Sequence, residues 1–387
     1  MRILTVCTST NVFGAEVITL KMLEGFARAG HEQLAVTSTW TDGEFNRRLA
    51  KIGVPEHRLP FGALSIRLRL QPMWWTMNVL VRLPSLWMGW KRAMRQFQPD
   101  IVLFTSWRHP LAVYPILDAT PSFLIEYSFL DLTKTRRKLY RVLTRKLAGF
   151  IAVSEFMRDH VKLVGAPADK VYLVKSAAFS GRDREAVERE AQLFAPNPTA
   201  ATLRIGIIGQ ISPHKGHDDL VEAVIELRRR SRAFVVYVFG TGSTKYVDQL
   251  KSKLSDAGLN ETFSWSGFVK ERANIYGSID VCVVPSRSGD PFPTVAMEAG
   301  AYGRPVVASR RGGLPEIIVD GITGWLDDLT QPRKFADRLE WFYDNPEAAR
   351  GMGLAGRERI FREFTQEKMI SDFESLFRRH LAGEERE

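Results

Sequence analysis

The sequence predicts an α/β chain built as two Rossmann-like, doubly wound domains facing a central cleft. Three observations carry that prediction. Its 387 residues exceed one ordinary hydrophobic core and suit two. Apolar strand-like runs alternate with helical periodicity from end to end, the pattern of a parallel sheet covered on both faces. The alternation breaks once, in a charged segment at 181–201 that contains Pro-Asn-Pro, and then restarts with "LRIGIIGQ".

In the first half, residues 2–8 read as an apolar strand, 15–29 as a periodic helix and 33–38 as a second strand. Further strands are expected at 101–105, 122–126 and 150–153. The second half repeats the rhythm, with strands at 203–210, 234–239, 262–265, 280–284 and 305–308. The chain therefore divides into a first domain at 1–180, a linker at 181–201 and a second domain at 202–364. A C-terminal helix at 365–387 is expected to return toward the first domain. In open parallel sheets ligands gather at the carboxyl ends of the strands, which makes the cleft the expected site.

Composition fits a soluble globular protein, with 45% hydrophobic and 25% charged residues. The two cysteines, Cys7 and Cys282, lie in apolar runs and read as small buried side chains in a reducing, cytoplasmic compartment. The opening "MRILTVCTS" reads as strand, so no leader peptide is expected. The longest apolar tract, 73–90, is interrupted by Arg82 and Pro84, which argues against a membrane span. The net charge of +10 is uneven. Residues 1–187 hold 27 basic and 15 acidic side chains, whereas residues 188–387 hold 27 and 29. An excess confined to the first half suits an anionic partner there: a membrane surface, a phosphorylated acceptor or nucleic acid.

The stretch "PSRSGDPFPTVAMEAGAYGRPVVAS", residues 285–309, joins two short strands. Pro291 and Pro293 stiffen the turn, and Thr294 is a candidate helix N-cap. Free amides of the first helical turn and the positive end of its dipole suit a phosphate. Glu298 lies about one turn inside, within reach of a sugar hydroxyl beside such a phosphate. An ordinary strand–helix loop with a solvent-facing glutamate has the same spacing. Upstream, Lys215-Gly216 precedes another helix, where an ammonium neutralises phosphate as a point charge. A solvated loop lysine is the alternative. No Walker-type phosphate loop occurs.

Taken in order, these pieces resemble the retaining GT-B glycosyltransferases of family 4. That family's pattern has a strand ending Gly-Arg with a following Lys-Gly, an acid-x7-Glu motif, and Gly-x-Pro-Val-Val-Ala. Here these stand as Gly209-Gln210 with Lys215-Gly216, as Asp290 with Glu298, and as "GRPVVAS". "RGGLPEIIVDGITGWL" matches the family's glycine-rich turn and helix, and "FGAEVITLKMLEGFARAGHE" and "LAGFIAVSEFMRDHV" look like parts of its N-terminal domain.

The resemblance implies transfer of a sugar from a nucleotide diphosphate sugar, UDP- or GDP-linked, with retention and without a cofactor or metal. It places Glu298 on the ribose, Asp290 on the donor sugar and Lys215 on the diphosphate, with these three as the catalytic set. Gly14, Gly209 and Gln210 would lie along the donor. Phe292, Pro293 and the amides near Thr294 and Val295 would flank its phosphates, and Gly267, Phe268 and Val269 would line the base. Preorganised cations and amides stabilise the charge that builds on a departing diphosphate.

Three positions depart from the pattern. Asp290 stands for a glutamate and is shorter by one carbon–carbon bond, roughly 1.5 Å. Gln210 stands for an arginine, and a neutral amide makes hydrogen bonds about half as strong as a charged donor. That shifts phosphate charge onto Lys215 and Arg287. Phe13-Gly14 stands for paired glycines. No Asp-x-Asp occurs, and the Asp218-Asp219 and Asp327-Asp328 pairs read as solvated surface.

The acceptor is expected in the first domain, a saccharide or lipid-linked saccharide of lipopolysaccharide type, contacted by His109 and Glu126; both also read as loop residues of no special duty. Residues 64–97 mix four tryptophans with six basic side chains, and 134–146 is strongly basic. Both suit an anionic membrane surface at the inner face of the membrane, although a core helix with basic ends reads equally well. No nucleic-acid partner is expected. Two other functions stay open: a nucleotide-sugar epimerase, and a GT-B protein that binds a membrane or nucleic acid without turnover.

Overall fold

The computed structural model describes residues 1–387 except 11, 42, 63–69, 130, 194–201 and 384–387, together with the side chains of 70–80 and 193. Two compact units result, Met1–Ala177 with Gln366–Glu387, and Ala178–Thr365.

The first unit holds strands β1 (Arg2–Val6), β2 (Glu32–Ser38), β3 (Glu56–Leu59), β4 (Ile101–Phe104), β5 (Ser122–Glu126), β6 (Gly149–Ala152) and β7 (Val171–Leu173). They form a seven-stranded sheet in the order β3-β2-β1-β4-β5-β6-β7, parallel at every pair. The second unit holds β8 (Leu203–Ile208), β9 (Phe234–Phe239), β10 (Phe263–Gly267), β11 (Val281–Val284), β12 (Val306–Ser309) and β13 (Gly324–Asp327). Their order is β10-β9-β8-β11-β12-β13, again all parallel. Central strands such as β4 ("IVLF") and β11 ("VCVV") are buried at every residue. Helices cover both faces, so these strands need apolar side chains on both sides rather than in alternation. This is the doubly wound α/β fold the alternating sequence predicts.

Strand order reverses between β1 and β4 in the first sheet and between β8 and β11 in the second. At such a switch point the flanking helices diverge and leave a crevice outside the strand ends. Each unit therefore has one preferred place for a ligand.

Residues 181–201 differ from the linker expected of them. A helix, Arg184–Leu193, occupies the first half and belongs to the second unit; the remainder lies outside the described residues. The C-terminal helix, Gln366–Leu381, packs within the first unit on the helix Gly14–Arg28. Phe26 meets Phe373 at 5.4 Å between ring centroids, and His31 Nε2 lies 2.9 Å from Glu374. Residues 70–97 form one helix in spite of Pro84. Of the expected interfacial span 64–97, residues 64–69 and the side chains of 70–80 lie outside the described residues. Among the described residues no helix is long and apolar enough to cross a membrane. Both cysteines are free and buried.

Candidate active site

In the second unit, β8 ends at Ile208 and the chain turns through Gly209 and Gln210 into a single helical turn, Pro213–Lys215. That turn closes on Gly216 at φ +75°, where a Cβ would stand 1.9 Å from the Pro285 carbonyl oxygen. Only glycine lets the loop press against the exit of β11. The Arg287 amide, donating to the His214 carbonyl at 2.9 Å, ties the two loops together. The contact delivers Lys215 Nζ to within 2.6 Å of Asp290 Oδ2.

The Asp290 loop rests on a second glycine approach. Gly312 has φ +61°, and a Cβ there would lie 2.4 Å from the Asp290 carbonyl oxygen. Gly313 donates its amide to the same oxygen at 2.9 Å. The "RGG" of the sequence is thus a backbone cradle beneath the acid.

The helix Thr294–Ala301 starts one residue earlier than expected. Pro293 occupies the N-cap position and Thr294 is the first helical residue, with no side-chain cap. A proline offers no capping oxygen, so the first amides and the dipole stay available to an anion. Glu298, one turn in, is 13% exposed at its side chain. Its Oε1 pairs with Arg272 at 3.0 Å, and its Oε2 accepts from the Tyr276 hydroxyl at 3.0 Å. Arg272 in turn lies over the Phe179 ring, with Cζ 5.2 Å from the centroid. Burial works against the Arg272 charge, but Glu298 more than compensates and raises its pKa.

Other predicted residues fall at the same sheet edge or near it. Gly267 accepts from the Gly240 amide at 2.7 Å, Val269 is half-buried, and Phe268 is 72% exposed at the carboxyl end of β10. Gln210 is exposed. Phe292 is buried against Phe364, 5.6 Å between ring centroids, and so packs the loop from beneath. Gly14 belongs to the first unit, where it opens the helix Gly14–Arg28.

Of the two aspartate pairs read as solvated surface, Asp328 is exposed as expected, whereas Asp219 is buried and Asp218 and Asp327 are half-buried. Asp219 is buried and takes a bidentate pair from Arg287, both distances 2.7 Å. Arg287 is thereby committed to a carboxylate rather than left for phosphate. Asp218 accepts from Tyr246 and, at 2.9 Å, from Lys253. Asp327 pairs with Arg338 at 3.0 Å, and Asp328 accepts from Thr330 and Gln331.

The first unit has a cavity of about 620 Å³ at its own switch point, outside β1 and β4. Half of its lining residues carry hydroxyls, among them Thr8, Ser9, Thr10, Thr105 and Tyr127, and Trp40, Glu16 and Arg108 share the wall with apolar side chains. His109 lines it. Its Nε2 lies 2.9 Å from Thr8 Oγ1, while burial and the Arg108 charge push its pKa down to about 3. The ring is therefore neutral near pH 7. Glu126 points elsewhere: it is buried at the end of β5, accepts from the Tyr140 hydroxyl and does not line the cavity. Burial pushes its pKa up to about 8. Its neighbour Tyr127 takes the wall position.

Sequence reasoning missed Arg272, Tyr276, Asp219 and the Gly312-Gly313 cradle. The double glycine was a visible signal; Arg272 and Tyr276 sit in "KERANIYGSID" with nothing in their spacing to mark them.

Fold and site together define an α/β protein of two units, the second of which brings an ammonium, two carboxylates and an uncapped helix start to one sheet edge. Residues 189–359 match the glycosyl transferases group 1 family, and residues 12–176 match glycosyltransferase family 4. The chain belongs to these GT-B glycosyltransferases. It is 37% identical to a D-inositol 3-phosphate glycosyltransferase of Arthrobacter sp. (strain FB24) over 207 residues, 52% of this chain and 47% of that one. It is 32% identical to a GDP-mannose-dependent alpha-(1-6)-phosphatidylinositol monomannoside mannosyltransferase of Mycolicibacterium smegmatis over 183 residues, 42% of this chain and 47% of that one. The chain spans about half the length of the curated relatives it matches. Among solved structures, Anabaena Alr3699/HepE in complex with UDP and glucose has a similar fold, with a TM-score of 0.76 at 16% identity, covering 98% of this chain and 99% of that one. A glycosyltransferase from Rickettsia africae gives 0.77 at 17% identity, covering 99% of each chain.

Proposed function

We propose that the protein is a retaining glycosyltransferase that moves a sugar from a nucleotide diphosphate sugar to a saccharide or lipid-linked saccharide acceptor. One observation carries the reading. Lys215, held 2.6 Å from Asp290, stands at the switch point of the second sheet, beside a helix start whose amides are uncapped. An ammonium and helix amides fixed in advance stabilise charge on a leaving diphosphate without reorganising during the reaction.

In this reading Glu298 holds the ribose, Asp290 the transferred sugar, and Gly267, Phe268 and Val269 the base. The bond from the anomeric carbon to the diphosphate oxygen breaks. The acceptor oxygen bonds to that carbon on the same face, and its proton passes to the departing phosphate oxygen. The residues invoked on the diphosphate require no metal ion. The hydroxyl-lined cavity of the first unit takes the acceptor, with His109 on its wall. The basic helix Lys134–Leu143 supports contact with an anionic membrane surface at the cytoplasmic face.

The test uses the purified chain with a panel of UDP- and GDP-sugars, reading donor hydrolysis and the anomeric configuration of the released sugar by NMR. Hydrolysis with retention is expected. Inversion rejects the retaining mechanism alone. Unchanged UDP and GDP affinity in both Lys215→Ala and Glu298→Ala rejects the transferase reading. Gln210, where the family carries arginine, favours a second reading, a binding protein without turnover; nucleotide binding with no hydrolysis or transfer would establish it.

A further inference from the structure

In the first unit, two guanidinium groups lie over one buried indole. Arg108 Cζ is 4.8 Å and Arg136 Cζ 4.4 Å from the Trp107 ring centroid. Arg108 follows the carboxyl end of β4, and Arg136 sits in the first turn of the helix Lys134–Leu143, where its amide donates to the Thr133 capping hydroxyl at 3.1 Å. Two separate elements thus bring like charges to one ring. The Arg108 pKa is lowered by burial first and by the Arg136 charge second.

Arg136 Nη1 is buried and has no hydrogen-bond partner among the described residues. An unsatisfied buried donor of a charged group is costly, and such atoms are rare without a reason. The acid that faces Arg136 is Glu126, but it is buried with Tyr140, and its pKa of about 8 keeps it largely protonated at neutral pH. It brings Arg136 little negative charge. Arg108 also lines the hydroxyl-rich cavity beside this cluster.

We propose that Arg108 and Arg136, seated on Trp107, clamp a phosphate or carboxylate group of the acceptor while its sugar or polyol portion occupies the neighbouring cavity. Planar guanidiniums suit bidentate recognition of such oxyanions, and the indole fixes their orientation before the ligand arrives. The clamp rests on the reading of this cavity as the acceptor site. It makes the protein selective for acceptors bearing an anion next to several hydroxyls.

The experiment titrates inorganic phosphate, glycerol 3-phosphate and glycerol into the full chain by calorimetry. UDP is held at saturation, so that the cations of the second unit are already occupied. Both phosphates are expected to bind and glycerol is not. Arg136→Gln should weaken phosphate binding about tenfold or more, Arg136→Lys less, with UDP affinity within about twofold of the parent. Arg108→Gln should repeat the loss and serves if Arg136→Gln fails to fold. Phosphate binding that survives both glutamine substitutions overturns the clamp, as does a parent chain that binds no phosphate. A parent chain that binds no UDP would instead overturn the donor site, and loss of phosphate binding in the two glutamine variants would still assign the phosphate to the clamp.

Vesicles separate the two sources of the anion. Capture by phosphatidylinositol in phosphatidylcholine, absent with phosphatidylcholine alone, lost in Arg136→Gln and competed by phosphate, identifies a lipid headgroup. Phosphate binding without vesicle capture identifies a soluble anion. If Arg136→Gln loses phosphate yet glycosylates anionic acceptors at unchanged KM, the clamp does not serve the acceptor.

Discussion

Lys215 and Asp290, far apart in sequence, meet at 2.6 Å on the carboxyl edge of the second sheet. Both side chains keep partial exposure, 31% and 20%, and ion pairs of that kind add little to stability. Yet two backbone contacts intolerant of a Cβ, Gly216 on Pro285 and Gly312 on Asp290, hold the pair in register. Rigid support beneath a weakly stabilising pair makes sense if the ammonium has other work. In the proposed function, an arriving diphosphate competes with the carboxylate for it.

That competition has a sign. Asp290→Asn removes the carboxylate that occupies the ammonium and repels the phosphates, so UDP should bind more tightly, by roughly threefold to tenfold. Turnover should fall, because the group proposed to hold the transferred sugar is weakened. Lys215→Ala should do the reverse to UDP, weakening it by one to two orders of magnitude, about the worth of a charge-assisted contact. Calorimetry with UDP and steady-state rates read both. If Asp290→Asn loses as much UDP affinity as Lys215→Ala, the carboxylate is a partner of the nucleotide and not its competitor.

Glu126 makes stability depend on pH. In the unfolded chain its carboxyl ionises near 4.5, and in the fold burial moves it to about 8. The folded form therefore holds a proton the unfolded form has lost, so this contribution is complete below 4.5 and is lost as pH rises toward 8. His109 runs the other way. Its ordinary 6.5 falls to about 3, so its contribution is complete above 6.5 and is lost as pH falls toward 3. Of the two, Glu126 alone acts between 6.5 and 8, with a slope of up to about 1.4 kcal/mol per pH unit. Urea unfolding across that window should show the decline, and Glu126→Gln, which keeps an acceptor for Tyr140, should flatten it. An unchanged slope in the variant would mean that Glu126 is ionised in the fold.

Much of this architecture was legible because it rests on local pattern. Continuous apolar runs such as "IVLF" and "VCVV" declare buried parallel strands, and Lys215, Asp290 and Glu298 fall, as their spacing from strand ends and helix starts predicts, at the carboxyl edge of the second sheet. What stayed hidden depends on partners distant in sequence. Asp219 in an amphipathic helix looks like any solvated acid until Arg287, on another loop, arrives beside it. Glu126 looks like an available carboxylate at a strand end, yet Tyr140 claims it from the next helix. Thr294 has every local credential of a cap, but Pro293 sets the backbone so that the helix already includes the threonine. Charge patterning likewise showed the basic excess of the first half without revealing that Arg108 and Arg136 share one ring.

Tyr276 offers a test of how Glu298 is held. The tyrosine is fully buried, and its hydroxyl donates to Oε2 while Arg272 occupies Oε1. With both oxygens anchored, the carboxylate presents its remaining lone pairs in one orientation, which suits two neighbouring ribose hydroxyls. Tyr276→Phe keeps the ring packed on Tyr302, 5.2 Å between centroids, and removes only the hydroxyl. A hydrogen bond of this kind contributes about 1 kcal/mol, so UDP affinity should drop about fivefold. Pyrophosphate, which lacks a ribose, should bind the variant as it binds the parent. In a Glu298→Ala background the same substitution should have no further effect on UDP, because the tyrosine acts through the carboxylate. Equal losses for UDP and pyrophosphate would instead place the disturbance at the helix start, and Glu298 would lose its assignment to the ribose.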